Sequence, residues 1–184
     1  MFLLHIKSGE QFDEENNLFF HEVDVQLELE HSLVSLSKWE SKHEIPFLGS
    51  INKTDEQTID YVKAMTITPD VDPEVYKFIT AEQYTQISEY INAKQTATWF
   101  AAKPKGPQGK TETVTAEVIY YWLVALNIPF ETQTWHLNRL ITLVKVCDEK
   151  NKPADKKRKR SAAEIAAERR AINEARRKQM GTSG

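Results

Sequence analysis

The first 30 residues contain short apolar runs and one stretch in which apolar and polar side chains alternate. From Val23 to Glu30, apolar residues fill every second position, and acidic residues or glutamine fill the positions between them. A period of two is typical of a β-strand with one buried face. Residues 2–6 and 18–20 are also apolar runs, and Asn16-Asn17 is a turn signal before the second. We therefore predict a β-rich N-terminal part, with the valines and leucines facing the core and the acids forming a solvated face.

Beyond residue 31 the apolar spacing becomes helical. Leu33, Leu36 and Trp39 follow one another at intervals of three. Residues 54–57 have the sequence of a capping box, in which two side chains each bond the other residue's backbone N–H at the start of a helix. Helices are predicted over residues 32–39, 54–65, 74–78, 81–91, 116–126 and 134–148.

Two segments of the chain, 116–126 and 96–118, allow more specific structural predictions. Residues 116–126 are apolar on most sides of the predicted helix, which favours a central position in the core. The β-prone stretches 96–100 and 111–115 flank a basic loop rich in proline and glycine, residues 103–110. This arrangement predicts an internal β-hairpin over 96–118.

A last helix is predicted near the C-terminus. Residues 161–164 form a second capping box, and the helix should run to about Gln179. Its apolar stripe is thin, with Ile165, Ile172 and a few alanines. Such a helix is marginal alone, so we expect it to dock on a partner or on its own body. The fold class is therefore α+β, with a β-rich N-terminal part, an internal hairpin, a helical core and a basic C-terminal helical tail.

Charge divides the chain in two. Residues 1–150 contain 13 Lys and Arg against 23 Asp and Glu, a net charge of −10. Residues 151–184 contain 11 Lys and Arg against four acids, a net charge of +7. A basic end on an acidic body is typical of an interaction tail. We predict an acidic α+β body over 1–150 and a basic tail over 151–184.

Candidate enzyme chemistry is weak. Residues 106–111 end like a phosphate-binding loop, but only two residues separate the glycines where the motif needs four, and one of them is proline. The five histidines do not pair with each other or with Cys147 at the spacings of a zinc site. The single cysteine excludes an internal disulfide and suits a reducing compartment. We expect no catalytic site, no cofactor and no metal.

The basic tail is the main candidate binding element. Arg169 and Arg176 share one helix face, as do Arg170 and Arg177. The cluster at 156–160 could neutralise phosphates, dock on an acidic protein surface, or be a solvated linker. No aromatic residue is interleaved, which weakens binding of single-stranded nucleic acid by stacking. The candidate contact residues in the tail are Lys156, Lys157, Arg158, Lys159, Arg160, Arg169, Arg170, Arg176 and Arg177.

A second candidate contact is the region 37–39, centred on Trp39. The helical spacing of Trp39 with Leu33 and Leu36 favours a core position over a contact surface.

Several strings of the sequence resemble a family encoded among the tail genes of long-tailed, siphovirus-like bacteriophages. They are residues 30–42, 46–48, 120–122, 127–131, 135–140, 173–178 and 181–184. The family is that of the tail assembly chaperones. The resemblance implies a non-enzymatic protein of the host bacterial cytoplasm that binds the tape-measure protein, keeps it soluble and recruits tail-tube subunits.

Physical requirements of that role agree with the sequence. A protein that holds an amphipathic client needs exposed apolar or aromatic surface. An acidic body with a basic arm also favours head-to-tail self-association. Two alternatives stay open: a structural virion protein such as a connector or tail component, and a nucleic-acid-binding accessory protein. The sequence contains no run long and apolar enough for a membrane span.

Overall fold

The N-terminal part of the chain is an antiparallel hairpin. In the computed structural model, which describes residues 1–13, 18–20, 22–49, 52–100, 113–151 and 162–180, β1 (Phe2–Ser8) pairs with β4 (Val23–Leu29). Between them, β2 (Gln11–Asp13) pairs with β3 (Leu18–Phe20). Burial follows the same alternation, since Leu27 and Leu29 are fully buried while Asp24, Gln26 and Glu28 are exposed. The predicted strand and its inward face are therefore confirmed.

Glu30 departs from the predicted acidic solvent face. Its carboxylate is only 14% exposed and accepts a hydrogen bond from the Tyr90 hydroxyl at 2.5 Å. β4 ends at Leu29, so Glu30 no longer follows the outward alternation of the strand.

The other secondary-structure elements of the described chain are helices. They are α1 (Leu33–His43), α2 (Asp55–Met65), a first 3-10 helix (Pro73–Phe78), α3 (Ala81–Asn92), α4 (Ala116–Ala125), a second 3-10 helix (Phe130–Thr134), α5 (Leu137–Asn151) and α6 (Ala162–Met180). The predicted α+β fold with a helical core is confirmed.

Capping residues explain where several of these helices begin. The predicted capping box of Thr54 and Gln57 opens α2, with each side chain bonding the other residue's backbone N–H. Thr80 and Gln83 form the same arrangement at the start of α3. Short-range hydrogen bonds of this kind satisfy the N–H groups that a helix leaves unpaired in its first turn.

The core consists of two apolar clusters joined by α1. One face of the hairpin packs with α2, the first 3-10 helix and α3 in the first cluster. The second cluster contains α4 and α5. Trp39 of α1 belongs to the first cluster, whereas Leu33 and Leu36 belong to the second. The apolar residues that predicted α1 therefore pack into both clusters.

The predicted internal hairpin at 96–118 is wrong for the residues that can be checked. Residues 96–100 and 113–115 are irregular, and 116–118 are already in α4; the loop 101–112 lies outside the described residues. β-prone residues form a strand only when another strand supplies hydrogen bonds and packing. Thr115 is instead the N-cap residue of α4.

Candidate functional site

α4 presents apolar side chains that the fold leaves uncovered. Only Ala116, Ile119 and Leu123 of this helix are buried. Tyr121 is 68% exposed and Val124 is 60% exposed, and residues three apart lie on the same helix face. The prediction that α4 is central is therefore wrong, because two of its large apolar side chains are exposed.

α4 is held at its beginning by a buried carboxylate from α1. The backbone N–H of Ala116 donates to Oε2 of Glu40 at 2.7 Å, and the N–H of Phe47 donates to Oε1 at 2.7 Å. Glu40 is 7% exposed. A negative charge at a helix N-terminus is favourable because the first N–H groups are unpaired and the helix dipole is positive there. One side chain thus joins α1, the loop after it and α4.

The end of α4 is fixed by a tight turn. Asn127 adopts φ 53°, in the left-handed region, and the N–H of Ile128 donates to the carbonyl of Leu123 at 2.8 Å. The N–H of Asn127 also donates to the carbonyl of Val124 at 3.1 Å, which completes a Schellman motif. The chain then enters the second 3-10 helix, whose Phe130 is 51% exposed.

Phe130 extends the apolar surface of α4. Its ring lies 6.1 Å from that of Tyr120, which occupies the turn before Val124. We refer to Tyr121, Val124 and Phe130 as the outer face.

A groove lies on the other side of α4. Its volume is about 1130 Å³. One wall is formed by Trp122, Ala125 and Leu126 of α4, and the other by residues of α5 from Leu137 to Asp148. The loop 46–49 and residues 113–114 also line it. Ala125 of the groove is one turn from Tyr121 of the outer face, so the two surfaces are neighbours on α4.

A buried polar cluster connects the two halves of the fold. The His31 ring lies 5.2 Å from that of His136, and its Nδ1 is 2.5 Å from the Tyr61 hydroxyl. His136 Nε2 lies 3.0 Å from the carbonyl oxygen of Tyr90. The N–H of Leu137 donates to the carbonyl of His31 at 2.7 Å. These contacts tie α5 to the end of the hairpin and to α3.

Burial keeps this cluster uncharged near neutral pH. It lowers the pKa of His31 to about 3, and the nearby His136 adds to that effect. Burial also lowers the pKa of His136 and raises the pKa of Tyr61 and of Tyr90. His31, His136 and Tyr61 are buried, so their neutral rings can be packed in the core and support the fold.

Trp39 does not form a contact surface in this structure. It is 1% exposed, and its indole N–H donates to the carbonyl of Gln57 at 2.8 Å. Its ring packs against Phe47 at 5.1 Å. The core position that its spacing favoured is the one observed, so Trp39 is removed from the candidate contacts.

The tail residues are only partly described. Arg169, Arg170, Arg176 and Arg177 lie on α6 and are exposed, and none of the 19 described residues of this helix is buried. The cluster Lys156, Lys157, Arg158, Lys159 and Arg160 lies outside the described residues. The prediction of a helix in this tail is confirmed, whereas its role as a contact stays a prediction.

In the described part of the chain, His, Cys, Asp and Glu form no group of three that could hold a metal ion. Among the same residues, none of the helices combines the length and apolarity needed to cross a membrane. Comparisons with protein-family models, with curated proteins and with solved structures give no match.

Sequence reasoning missed the outer face because it treated α4 as a buried helix. The sequence did contain a sign of the outer face, because residues 118–124 are apolar on more sides of the helix than one core needs. A helix apolar all round must be covered on all sides or must leave part of itself exposed, and Tyr121 and Val124 are the part left exposed here.

Proposed function

We propose that this protein is a non-enzymatic tail assembly chaperone of a long-tailed bacteriophage, acting in the host bacterial cytoplasm. It would bind the tape-measure protein through the outer face and promote assembly of tail-tube subunits around it. The observation that carries the proposal is the exposure of Tyr121 and Val124 on a helix held firmly at both ends.

The chemistry of the outer face suits an amphipathic helical client. Tyrosine and phenylalanine offer large contact area with few rotatable bonds, and aromatic residues are enriched where proteins bind one another. An amphipathic helix buries its apolar stripe against such a surface. A long helical client exposes that stripe until other subunits cover it, and a reversible partner would keep it from aggregating.

The titratable groups support a binding role over catalysis. His31 bonds the Tyr61 hydroxyl, His136 bonds the backbone carbonyl of Tyr90, and Glu40 accepts two backbone N–H groups. Each of these contacts holds elements of the fold together, as structural polar groups in a core do.

A first test is co-expression with the tape-measure protein of the same phage. In the Tyr121→Ser/Val124→Ser variant, we expect the soluble fraction of the client to fall about tenfold or more, since removing central interface side chains commonly costs 2 kcal/mol or more. Both positions are exposed, so the variant should fold normally, which a thermal melt checks. The measurement is the amount of client in the supernatant and in the pellet.

The matched control is Leu3→Ser/Ile67→Ser. These side chains are 51% and 53% exposed, and they lie at the hairpin and just after α2. The control should keep the client soluble. Equal loss in both variants, or loss only in the control, would contradict the assignment of the outer face.

A second test separates a chaperone from a structural virion protein. We expect quantitative mass spectrometry to find the protein abundant in the infected-cell lysate and nearly absent from purified particles. A fixed, repeating copy number in the particle would instead identify a connector or tail component.

A further inference from the structure

We propose that the groove between α4 and α5 holds helix α6 of a second copy of this chain. The proposal concerns self-association and stands independently of the client assigned to the outer face. It connects two features of the described residues, an apolar groove and a helix with no buried residue.

α6 has the properties of a helix that is stabilised by docking. It is 19 residues long, and none of them is buried. An isolated helix of this length is only marginally stable in water, and most helical stability in proteins comes from packing one face. Ile165 and Ile172 are seven residues apart, so they lie on the same face two turns from each other, about 10 Å along the axis. Within the part of the chain that the structure describes, neither isoleucine is fully buried.

The groove offers an apolar surface of matching length. Along α5 it extends from Leu137 to Asp148, which is about 16 Å or three helical turns. Two isoleucines about 10 Å apart fit within this length. The walls are apolar at Trp122 and Leu126 on one side and at Ile141 on the other.

Charge at the rim of the groove also matches α6. Lys145 and Asp148 both line the groove, one helical turn apart. On α6, Glu168 and Arg169 lie on opposite flanks of the isoleucine face, as helical geometry places them about 60° and 40° from Ile165. Both signs of charge are therefore present on each surface. At long range, the tail's net charge of +7 is attracted to the body's net charge of −10.

The occupant is a second copy because the groove is not filled by the helix of the same chain. If α6 were docked in its own groove, Ile165 and Ile172 would be buried, yet Ile165 is 39% exposed and Ile172 is half-buried. A helix from one copy in the groove of the next makes a head-to-tail contact, which can repeat and need not close. A row of copies built in this way could follow an extended partner.

The test measures molar mass by light scattering after size-exclusion chromatography of the full-length chain, from about 1 to 100 µM, a range suited to contacts of modest size. We expect the mass of the parent protein to rise with concentration. Ile165→Gln/Ile172→Gln changes the docking face of α6 without changing charge, and Ala125→Arg fills the groove at an exposed position. Each variant alone should remain monomeric at 100 µM.

The decisive measurement is an equimolar mixture of the two variants. One partner then keeps an intact α6 and the other keeps an intact groove, so the mixture should form heterodimers and nothing larger. A mixture that stays monomeric would overturn the proposal, and so would a parent protein that is monomeric throughout.

Two additional variants check that the change in association comes from the proposed interface. Ala163→Gln/Ala167→Gln makes the same number of changes on the opposite face of α6 and should associate like the parent; equal weakening would overturn the proposal. Asp148→Arg, at an exposed position on the groove rim, is a second groove variant in case Ala125→Arg lowers the melting temperature. It should also complement the α6 variant.

Discussion

Replacing Glu40 with alanine is expected to lower the free energy of unfolding by about 3–5 kcal/mol, since hydrogen bonds to a charged group contribute about 1.5–3 kcal/mol each. Its carboxylate accepts the N–H groups of Phe47 and Ala116, and the second of these begins α4. Alanine leaves both donors without this acceptor, and Ala116 is fully buried. The measurement is the guanidinium midpoint and slope of the purified variant.

Two further variants distinguish the effect of the Glu40 hydrogen bonds from the effect of any negative charge near the start of α4. Glu40→Gln keeps the shape but offers one oxygen and one NH₂ group to two donors, so we expect a smaller loss of about 2 kcal/mol. Glu117→Ala removes an exposed carboxylate from the first turn of the same helix and should cost less than about 1 kcal/mol. If Glu40→Ala costs no more than Glu117→Ala, the carboxylate of Glu40 does not hold α4.

The second large effect is a loss of stability in mild acid. The pKa of His31 is about 3 in the folded chain, against an ordinary value of 6.5. Between these values the unfolded chain binds more protons, so lowering the pH favours unfolding. The stabilising contribution of neutral His31 is fully present above about pH 6.5. Below that pH, the free energy of unfolding decreases by about 1.4 kcal/mol per pH unit as the pH falls toward 3. The loss from His31 alone is about 2 kcal/mol at pH 5.

Other groups either add to this effect or act at lower pH. The pKa of His136 is also lowered by burial, so its contribution has the same sign as that of His31. The hydrogen bond with His5 lowers the pKa of Asp24, and at Asp60 burial is outweighed by the hydrogen bond and charge of Lys42, which lower the pKa as well. Their protonation weakens the fold only at still lower pH, which separates the two contributions. Comparison of pH 7.5 with pH 5 therefore tests His31 and His136 with little contribution from these two carboxylates.

The measurement is the free energy of unfolding in guanidinium at both pH values. His31→Asn keeps a polar atom near the Tyr61 hydroxyl but cannot titrate, so it should be less stable at pH 7.5 and lose less on acidification. His5→Asn changes a histidine whose side chain is 59% exposed and should retain the parent's loss. An unchanged loss in His31→Asn would show that the buried pair does not control acid stability.

The positions of most secondary-structure elements could be predicted because they depend on nearby residues. The alternation from Val23 to Glu30 identified β4, and the box at Thr54 and Gln57 marked the first turn of α2. Hydrogen bonds in a capping box span three residues, and an apolar face repeats every two or every three to four residues. Such signals can be seen in any short window of the sequence.

The strand predicted at 96–100 is an element that local sequence preference predicted wrongly. Threonine, tryptophan and phenylalanine favour a strand, but that preference depends on a neighbouring strand. Residues 96–100 are irregular, and Lys94 places its ammonium group 3.5 Å from the ring centre of Trp99.

The candidate site depended on contacts between residues far apart in the sequence even more than the secondary structure did. Trp39 and Tyr121 are both aromatic residues on helices, yet one is 1% exposed and the other 68%. Their difference arises from which neighbouring elements cover each helix, and helical spacing does not specify those neighbours.

By itself, the sequence determined the α+β class, the inward face of β4, the first turn of α2, and the division between an acidic body and a basic helical tail, because each depends on composition or on residues a few positions apart. Only the tertiary structure decided that Glu40 holds a helix beginning 76 residues later, that His31 meets His136, and that Tyr121 and Val124 of α4 are exposed. These features depend on how separate elements pack, and packing is set by all the contacts of the chain at once.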